Sequence, residues 1–109
     1  MNNFIYKIFF LINWKRKIFP VVIQDFFNKK LLMLAWISKF SLLESFFIKK
    51  TCFWSRKLKK KWRKGYFSNN LQIINKIKFD CDIDSIVFEI FDNKNNCHYI
   101  KKSCFNYFI

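Results

Sequence analysis

The sequence predicts a small α+β domain, mainly β-strand with one or two short α-helices. Three observations lead there. Runs of strand length rich in Val, Ile and aromatic residues recur along the chain, one stretch carries helix-start chemistry, and neither an internal repeat nor a Gly/Ser linker separates them. A chain of 109 residues makes one compact domain rather than two, and a domain of this size gains by burying surface against a second copy.

The elements follow in order. Residues 3–13 are apolar enough for a short helix or a strand, and the pattern does not choose between them. Residues 18–25 (IFPVVIQD) read as a strand, with β-branched Val21, Val22 and Ile23 and with Pro20 near its start. Phe26-Phe27-Asn28-Lys29-Lys30 reads as a hairpin turn, and 31–37 (LLMLAWI) as a strand buried on both faces. Ser38 is a helix N-cap, and the helix to about Ile48 places Leu42, Leu43, Phe46 and Phe47 on one face. Residues 51–56 return to strand composition, 57–70 form a polar basic loop holding the only glycine, Gly65, and 71–79 and 85–91 are two more strands. Asp92 to Asn96 is a turn, and the remainder is short and extended. Residues 1–17 form an N-terminal extension to a domain over 18–109.

Sixteen Phe, abundant Lys, Asn and Ile, and single Gly and Pro residues are the mixture AT-rich codons supply, so raw counts carry no structural argument. The net charge of +14 attracts polyanions: nucleic acid, anionic lipid or a phosphorylated substrate. Its densest run, Lys57, Lys59, Lys60, Lys61, Arg63 and Lys64, reads equally as a solvated loop. The N-terminal apolar run at 8–12 has one preceding lysine, no small-residue cleavage site after it, and too little length to span a membrane as a helix. The expectation is a cytoplasmic protein with reduced thiols, and metal binding is then the leading use of its cysteines. Cys52, in an apolar strand, is assigned to core packing.

Asp80, Cys81, Asp82 and Asp84 lie between two strands. If that stretch is extended, the three aspartates point one way and Cys81 the other. Carboxylates at this spacing suit Mg²⁺, and their mutual repulsion makes them costly without a cation or basic partners. An acidic turn in solvent is the alternative; three of the chain's seven acids falling within five positions weakens it. Cys97 and Cys104, seven residues apart with His98 beside the first, lack zinc-finger spacing. Adding Cys81 gives three thiolates, and three protein ligands with one open position define a catalytic zinc. His98 reads as a fourth ligand, a general base or a surface histidine.

At these residues the sequence resembles the phosphoribosyl-AMP cyclohydrolase family of histidine biosynthesis. Asp80-Cys81-Asp82-Ile83-Asp84 is similar to its Asp-Cys-Asp-x-Asp motif, and Cys97-His98 with Ser103-Cys104-Phe105 to its Cys-His-Thr-Gly-x-x-Ser-Cys-Phe motif. Trp54-Ser55-Arg56, Trp62-Arg63-Lys64-Gly65 with Ser68, Pro20 to Asp25, and Leu32-Met33-Leu34-Ala35-Trp36 resemble further family segments, in order, over about 18–107. Departures are Tyr99 and Ile100 for Thr and Gly, Phe67 for Thr, Asn69 for Gly, and Asn70 where His or Asn is common.

The resemblance implies a monofunctional zinc- and magnesium-dependent hydrolase acting on an adenine nucleotide with a second phosphoribosyl group on N1. Water adds at C6 and the N1–C6 bond breaks, leaving an aminoimidazole carboxamide. It implies an intertwined homodimer in which Cys81 of one chain joins Cys97 and Cys104 of the other on zinc. Magnesium falls to Asp80, Asp82 and Asp84, substrate contacts to Arg56, Trp62, Arg63, Lys64 and Ser68, and the proton shuttle to His98. Neither nucleic acid nor membrane is an expected partner. Two other readings stand beside this one: a zinc-stabilised nucleic-acid-binding module using the lysine run and Trp54, Trp62 or Tyr66, and a non-catalytic relative. A membrane-surface role for 4–17 is a further, weaker idea.

Overall fold

The computed structural model describes residues 7, 11–64, 72–91, 103–105 and 107–109. Its centre is a four-stranded sheet in the order β2-β1-β6-β5, formed by β1 (Ile18–Asp25), β2 (Leu31–Ser38), β5 (Ile73–Phe79) and β6 (Ile86–Phe91). A separate hairpin of β3 (Cys52–Ser55) and β4 (Lys60–Arg63) lies against it, with one helix, α1 (Lys39–Ile48), between β2 and β3. A short 3-10 turn at Trp14–Arg16 leads into β1. This mainly β domain with short α-helix is the fold class expected.

In β1 the side chains of Phe19, Val21, Ile23 and Asp25 are buried and the alternate ones half-buried. This period of two is what β-branched residues on a half-covered sheet produce. β1 pairs with β2 antiparallel from Ile18↔Ser38 to Gln24↔Leu31, with a bulge at Ile23/Gln24. The expected turn at 26–30 closes on Asp25, whose Oδ1 accepts the N–H of Phe27 at 2.8 Å, an Asx turn. β6 runs parallel to β1 (Val21↔Ile86) and antiparallel to β5 (Phe79↔Ile86).

Three expectations are corrected. β2 is not buried on both faces: Leu32, Met33, Ala35 and Ile37 are buried, but Leu31 and Leu34 are exposed, because β2 is an edge strand covered by α1 and β3 on one side only. The helix starts at the Ser38 cap as expected, with a capping box to Ser41, yet its inner face is Ser41, Leu42 and Ser45; Phe47 and Ile48 are exposed. Small residues face inward because the helix packs close to β3, where the Ser45 hydroxyl accepts the Cys52 N–H at 2.9 Å and lies 3.0 Å from the Cys52 carbonyl. Within the expected basic loop, Lys60–Arg63 is a strand. It has no apolar alternation, since all four residues are exposed, and forms by pairing with β3 and by resting Trp62 on Phe53, ring centroids 5.6 Å apart. For 3–13 the described residues Lys7 and Leu11 are helical. The Asp92–Asn96 turn lies outside the described residues.

Phe19, Phe53 and Phe88 are fully buried, whereas Phe27, Phe40 and Phe47 are exposed, so position rather than count decides what Phe does here. Phe88 stacks on Phe53 (centroids 6.5 Å apart), joining the sheet to the hairpin. Phe88→Ala should cost about 3–5 kcal/mol in urea unfolding, as full-length aromatic truncations in close-packed cores do. A loss under about 1 kcal/mol would mean the two layers are not packed through this residue.

Candidate metal centre and anion cleft

The β5–β6 connection, Asp80 to Ser85, is a tight turn and not an extended stretch. Asp80 N–H donates to Ser85 O at 3.0 Å, Ile83 N–H donates to Asp80 O at 2.8 Å, and Ile83 has φ 55°. A β-branched residue in the left-handed region is disfavoured; burying part of the Ile83 side chain against the core offsets that cost. The turn overturns the alternation expected for this segment. Asp80, Cys81 and Asp82 bring one ligand atom each to within 4.8 Å of one another, all exposed.

The donor set fits metal ions: two hard carboxylates for an oxygen-loving cation and a thiol for a softer one. A side-chain hydrogen bond shared with Asp84 is the main cause holding the Asp80 carboxyl below its ordinary value; Cys81, whose N–H donates at 2.6 Å, and the Ser85 hydroxyl at 3.3 Å add to it. Asp84 carries an ion pair to Arg16 at 3.4 Å. Asp82 has no hydrogen bond or ion pair among the described residues.

Cys104 is exposed and sits elsewhere. Its N–H donates to Leu32 O at 2.6 Å, and the neighbouring Ser103 hydroxyl donates to Leu31 O at 2.7 Å, which ties this segment to the outer edge of β2. The Asp80 turn hangs from β5 and β6 on the other side of the sheet, beyond Phe79↔Ile86. Cys104 is thus tied to β2 at one edge of the sheet, and Cys81 to the turn between β6 and the opposite edge strand β5. Cys97, His98, Ser68, Gly65 and the substituted positions Phe67, Asn69, Asn70, Tyr99 and Ile100 lie outside the described residues. Cys52 is buried as expected; burial, with Glu44 next, pushes its thiol up to about 12, so it stays protonated and makes a poor metal ligand.

Next to the turn, linked through the Arg16–Asp84 pair, opens a cleft of about 940 Å³ lined by Arg16, Lys39, Phe40, Trp54, Arg56 and Lys59, among others. A second cleft, of about 520 Å³, shares Trp54 and Arg56 and adds Trp36 and Trp62. The Arg56 guanidinium lies over the Trp36 ring, 4.5 Å from its centroid, which fixes a cation between the two clefts. Trp62 is half exposed, with Lys64 Nζ 5.7 Å from its centroid. Arg63 is differently engaged: Nε and Nη2 meet the two oxygens of Glu44 at 2.5 and 2.7 Å, and Lys61 Nζ reaches Glu44 at 3.2 Å.

Arg63 first, then Lys61 and Cys52, hold the Glu44 carboxyl down at about 2 from an ordinary 4.5, against the opposing effect of burial. A depressed carboxylate contributes stability that is complete above its unfolded value and lost as pH falls through its folded one. The stability gap between the protein and Glu44→Gln should thus be constant above pH 4.5 and shrink between 4.5 and 2. Partial solvation limits the gap to about 1 kcal/mol at neutral pH; a gap unchanged down to pH 2 would contradict the pairing.

Sequence reasoning did not single out Arg16, Lys39 or Glu44 as site residues. The signal was faint: Arg16 is one of three consecutive cations, and Glu44 the only acid on its helix. No described helix is long and apolar enough to cross a membrane.

Fold and site together define a small α+β domain with a turn whose donor set suits a metal ion, beside a cationic, aromatic cleft. The family model for phosphoribosyl-AMP cyclohydrolase matches residues 33–106, and the chain belongs to that family. It is 40% identical over 86 residues to the phosphoribosyl-AMP cyclohydrolase of Prosthecochloris aestuarii, covering 79% of this chain and 63% of that one. It is 41% identical over 86 residues to that of Chlorobium phaeobacteroides (79% and 63%) and 40% identical over 86 residues to that of Clostridium botulinum (79% and 78%). The aligned part thus spans about three fifths of the length of the first two of these relatives.

Proposed function

We propose that this domain hydrolyses 1-(5-phosphoribosyl)-AMP in histidine biosynthesis, adding water at C6 of the purine and breaking the N1–C6 bond. The observation that carries the reading is the Asp80-Cys81-Asp82 ligand cluster next to a cleft whose cations suit a substrate bearing two phosphate groups. Family membership supports it.

Asp80, Asp82 and Asp84 would hold magnesium near a substrate phosphate. Cys81 of one subunit, with Cys97 and Cys104 of the other, would hold zinc. Two thiolates on one zinc, each about 2.3 Å from it, come within about 4 Å of each other. The sheet-wide separation of Cys81 from Cys104 within one chain therefore favours a homodimeric, shared site. The chemistry a bound zinc supplies is a water acidified to near-neutral pKa.

The chain's own residues do the rest. Arg56 and Lys64 bind phosphate, Trp62 offers a flat face to the base, and Ser68 contacts the substrate. An adenine alkylated on N1 carries ring charge that makes C6 electrophilic. When the N1–C6 bond breaks, the exocyclic amine stays on C6 as carboxamide and N1, still bonded to C2, becomes an amidine nitrogen that needs a proton; His98 delivers it. His98→Ala with full turnover and zinc bound would remove that role.

The test is ultraviolet detection of ring opening by protein loaded with zinc and magnesium, with Cys104→Ala beside it. Turnover that disappears in the variant upholds the proposal. A folded, zinc-bound dimer without turnover favours a non-catalytic relative.

A further inference from the structure

Glu44 pairs with Lys61, one of the cations that line the larger cleft. It lies on α1 with its side chain 14% exposed and grips β4 at two points, Arg63 bidentately and Lys61 through one oxygen. These two residues sit opposite Cys52 and Trp54 in the β3–β4 ladder, two apart and so on one face of β4. All four residues of β4 are exposed. Besides the ladder to β3 and the Trp62–Phe53 contact, the Glu44 grip ties this strand to α1.

The same hairpin carries Arg56 and Lys59 into the larger cleft, and Ser55, Lys57 and Trp62 along the smaller one. At the hairpin tip, Lys59 has φ 54° and donates its N–H to Ser55 O at 2.7 Å, so the tip geometry follows wherever β4 is held. The Glu44 fork takes the Nε–H and one Nη2–H of Arg63, two of its five donors, and holds the guanidinium plane against α1.

We propose that Glu44 is a positioning residue: it clamps the hairpin through Arg63 and Lys61, setting Arg56 and Lys59 at the anion cleft, with Arg63 serving the clamp and not the substrate. The proposal rests on the nucleotide reading of the cleft given above.

The test is a double-mutant cycle of Glu44→Ala, Arg63→Ala and both together. AMP affinity would be read by calorimetry, the KM and kcat for phosphoribosyl-AMP by turnover, and β3–β4 amide exchange by mass spectrometry. Residues acting as one unit give equal, non-additive effects, so each variant and the double should weaken AMP binding about tenfold and raise KM alike. With uniform binding alone affected, kcat stays put. Hairpin amides should exchange faster while those of β1 and β6 do not. Glu44→Gln, the same size without the charge, should shift binding in the same direction and covers an alanine variant that fails to fold. Arg63→Ala weakening AMP well beyond Glu44→Ala, with additive effects in the double, would overturn the proposal in favour of direct substrate contact. So would unchanged hairpin exchange in Glu44→Ala. AMP binding and exchange are read without turnover, so a chain that binds AMP through a clamped hairpin yet never opens the ring separates failure of the hydrolase reading from failure of the clamp.

Discussion

Cys81→Ala and Cys104→Ala proteins, each inactive alone, should recover about a quarter of wild-type turnover when equal amounts are unfolded together and refolded into a homodimeric assembly. The arithmetic comes from the geometry. Cys81 hangs from the β5–β6 turn and Cys104 is tied to the outer edge of β2, on opposite sides of a four-stranded sheet. If each zinc takes Cys81 from one subunit and Cys104 from the other, a mixed dimer has one site with both thiols and one with neither. Random pairing makes about half the dimers mixed, each with half its sites intact, which gives the quarter. Recovery near zero, with mixed dimers present, would place both thiols in sites within one chain and contradict the reading.

Asp82→Asn should reduce turnover by about a hundredfold or more while leaving stability within about 0.5 kcal/mol of the parent. Of the three clustered aspartates, Asp80 is engaged in holding its turn, through the Cys81 N–H and the Ser85 hydroxyl, and Asp84 is paired to Arg16. Asp82 has no such engagement among the described residues, so its removal takes a ligand and little else. Asp80→Asn should lose activity and also loosen the turn. The check is magnesium titration of turnover beside a urea melt. Full activity with unchanged magnesium dependence in Asp82→Asn would end the assignment of this turn to a metal.

The acids explain much of what the sequence did and did not disclose. There are seven in a chain of net charge +14. Three in five positions were legible as a metal cluster, because like charges packed so closely need a reason. Their arrangement was not legible: period-two reasoning applies to strands, and a turn at Ile83 with φ 55° put Cys81 beside Asp80 and Asp82. Glu44 and Glu89 each draw two cations, Glu44 from β4 and Glu89, itself buried, from Lys29 and Lys78. Neither pairing is local in sequence, so neither could be read from spacing. The same holds for β4, whose charged residues become a strand only through β3, whereas β1, the 26–30 turn and the Ser38 cap rest on local chemistry and were read correctly. Cys52 was legible as a core residue because an apolar strand surrounds it.

The most direct test of the central claim, hydrolytic opening of a purine ring, is to run the reaction in heavy-oxygen water and weigh the product. The account predicts an aminoimidazole carboxamide with one solvent-derived oxygen, on the carbonyl that was C6, made by the zinc- and magnesium-loaded dimer and not by Cys104→Ala. Unchanged phosphoribosyl-AMP after incubation with a folded, metal-loaded dimer, or a product without solvent oxygen at that carbon, would contradict it.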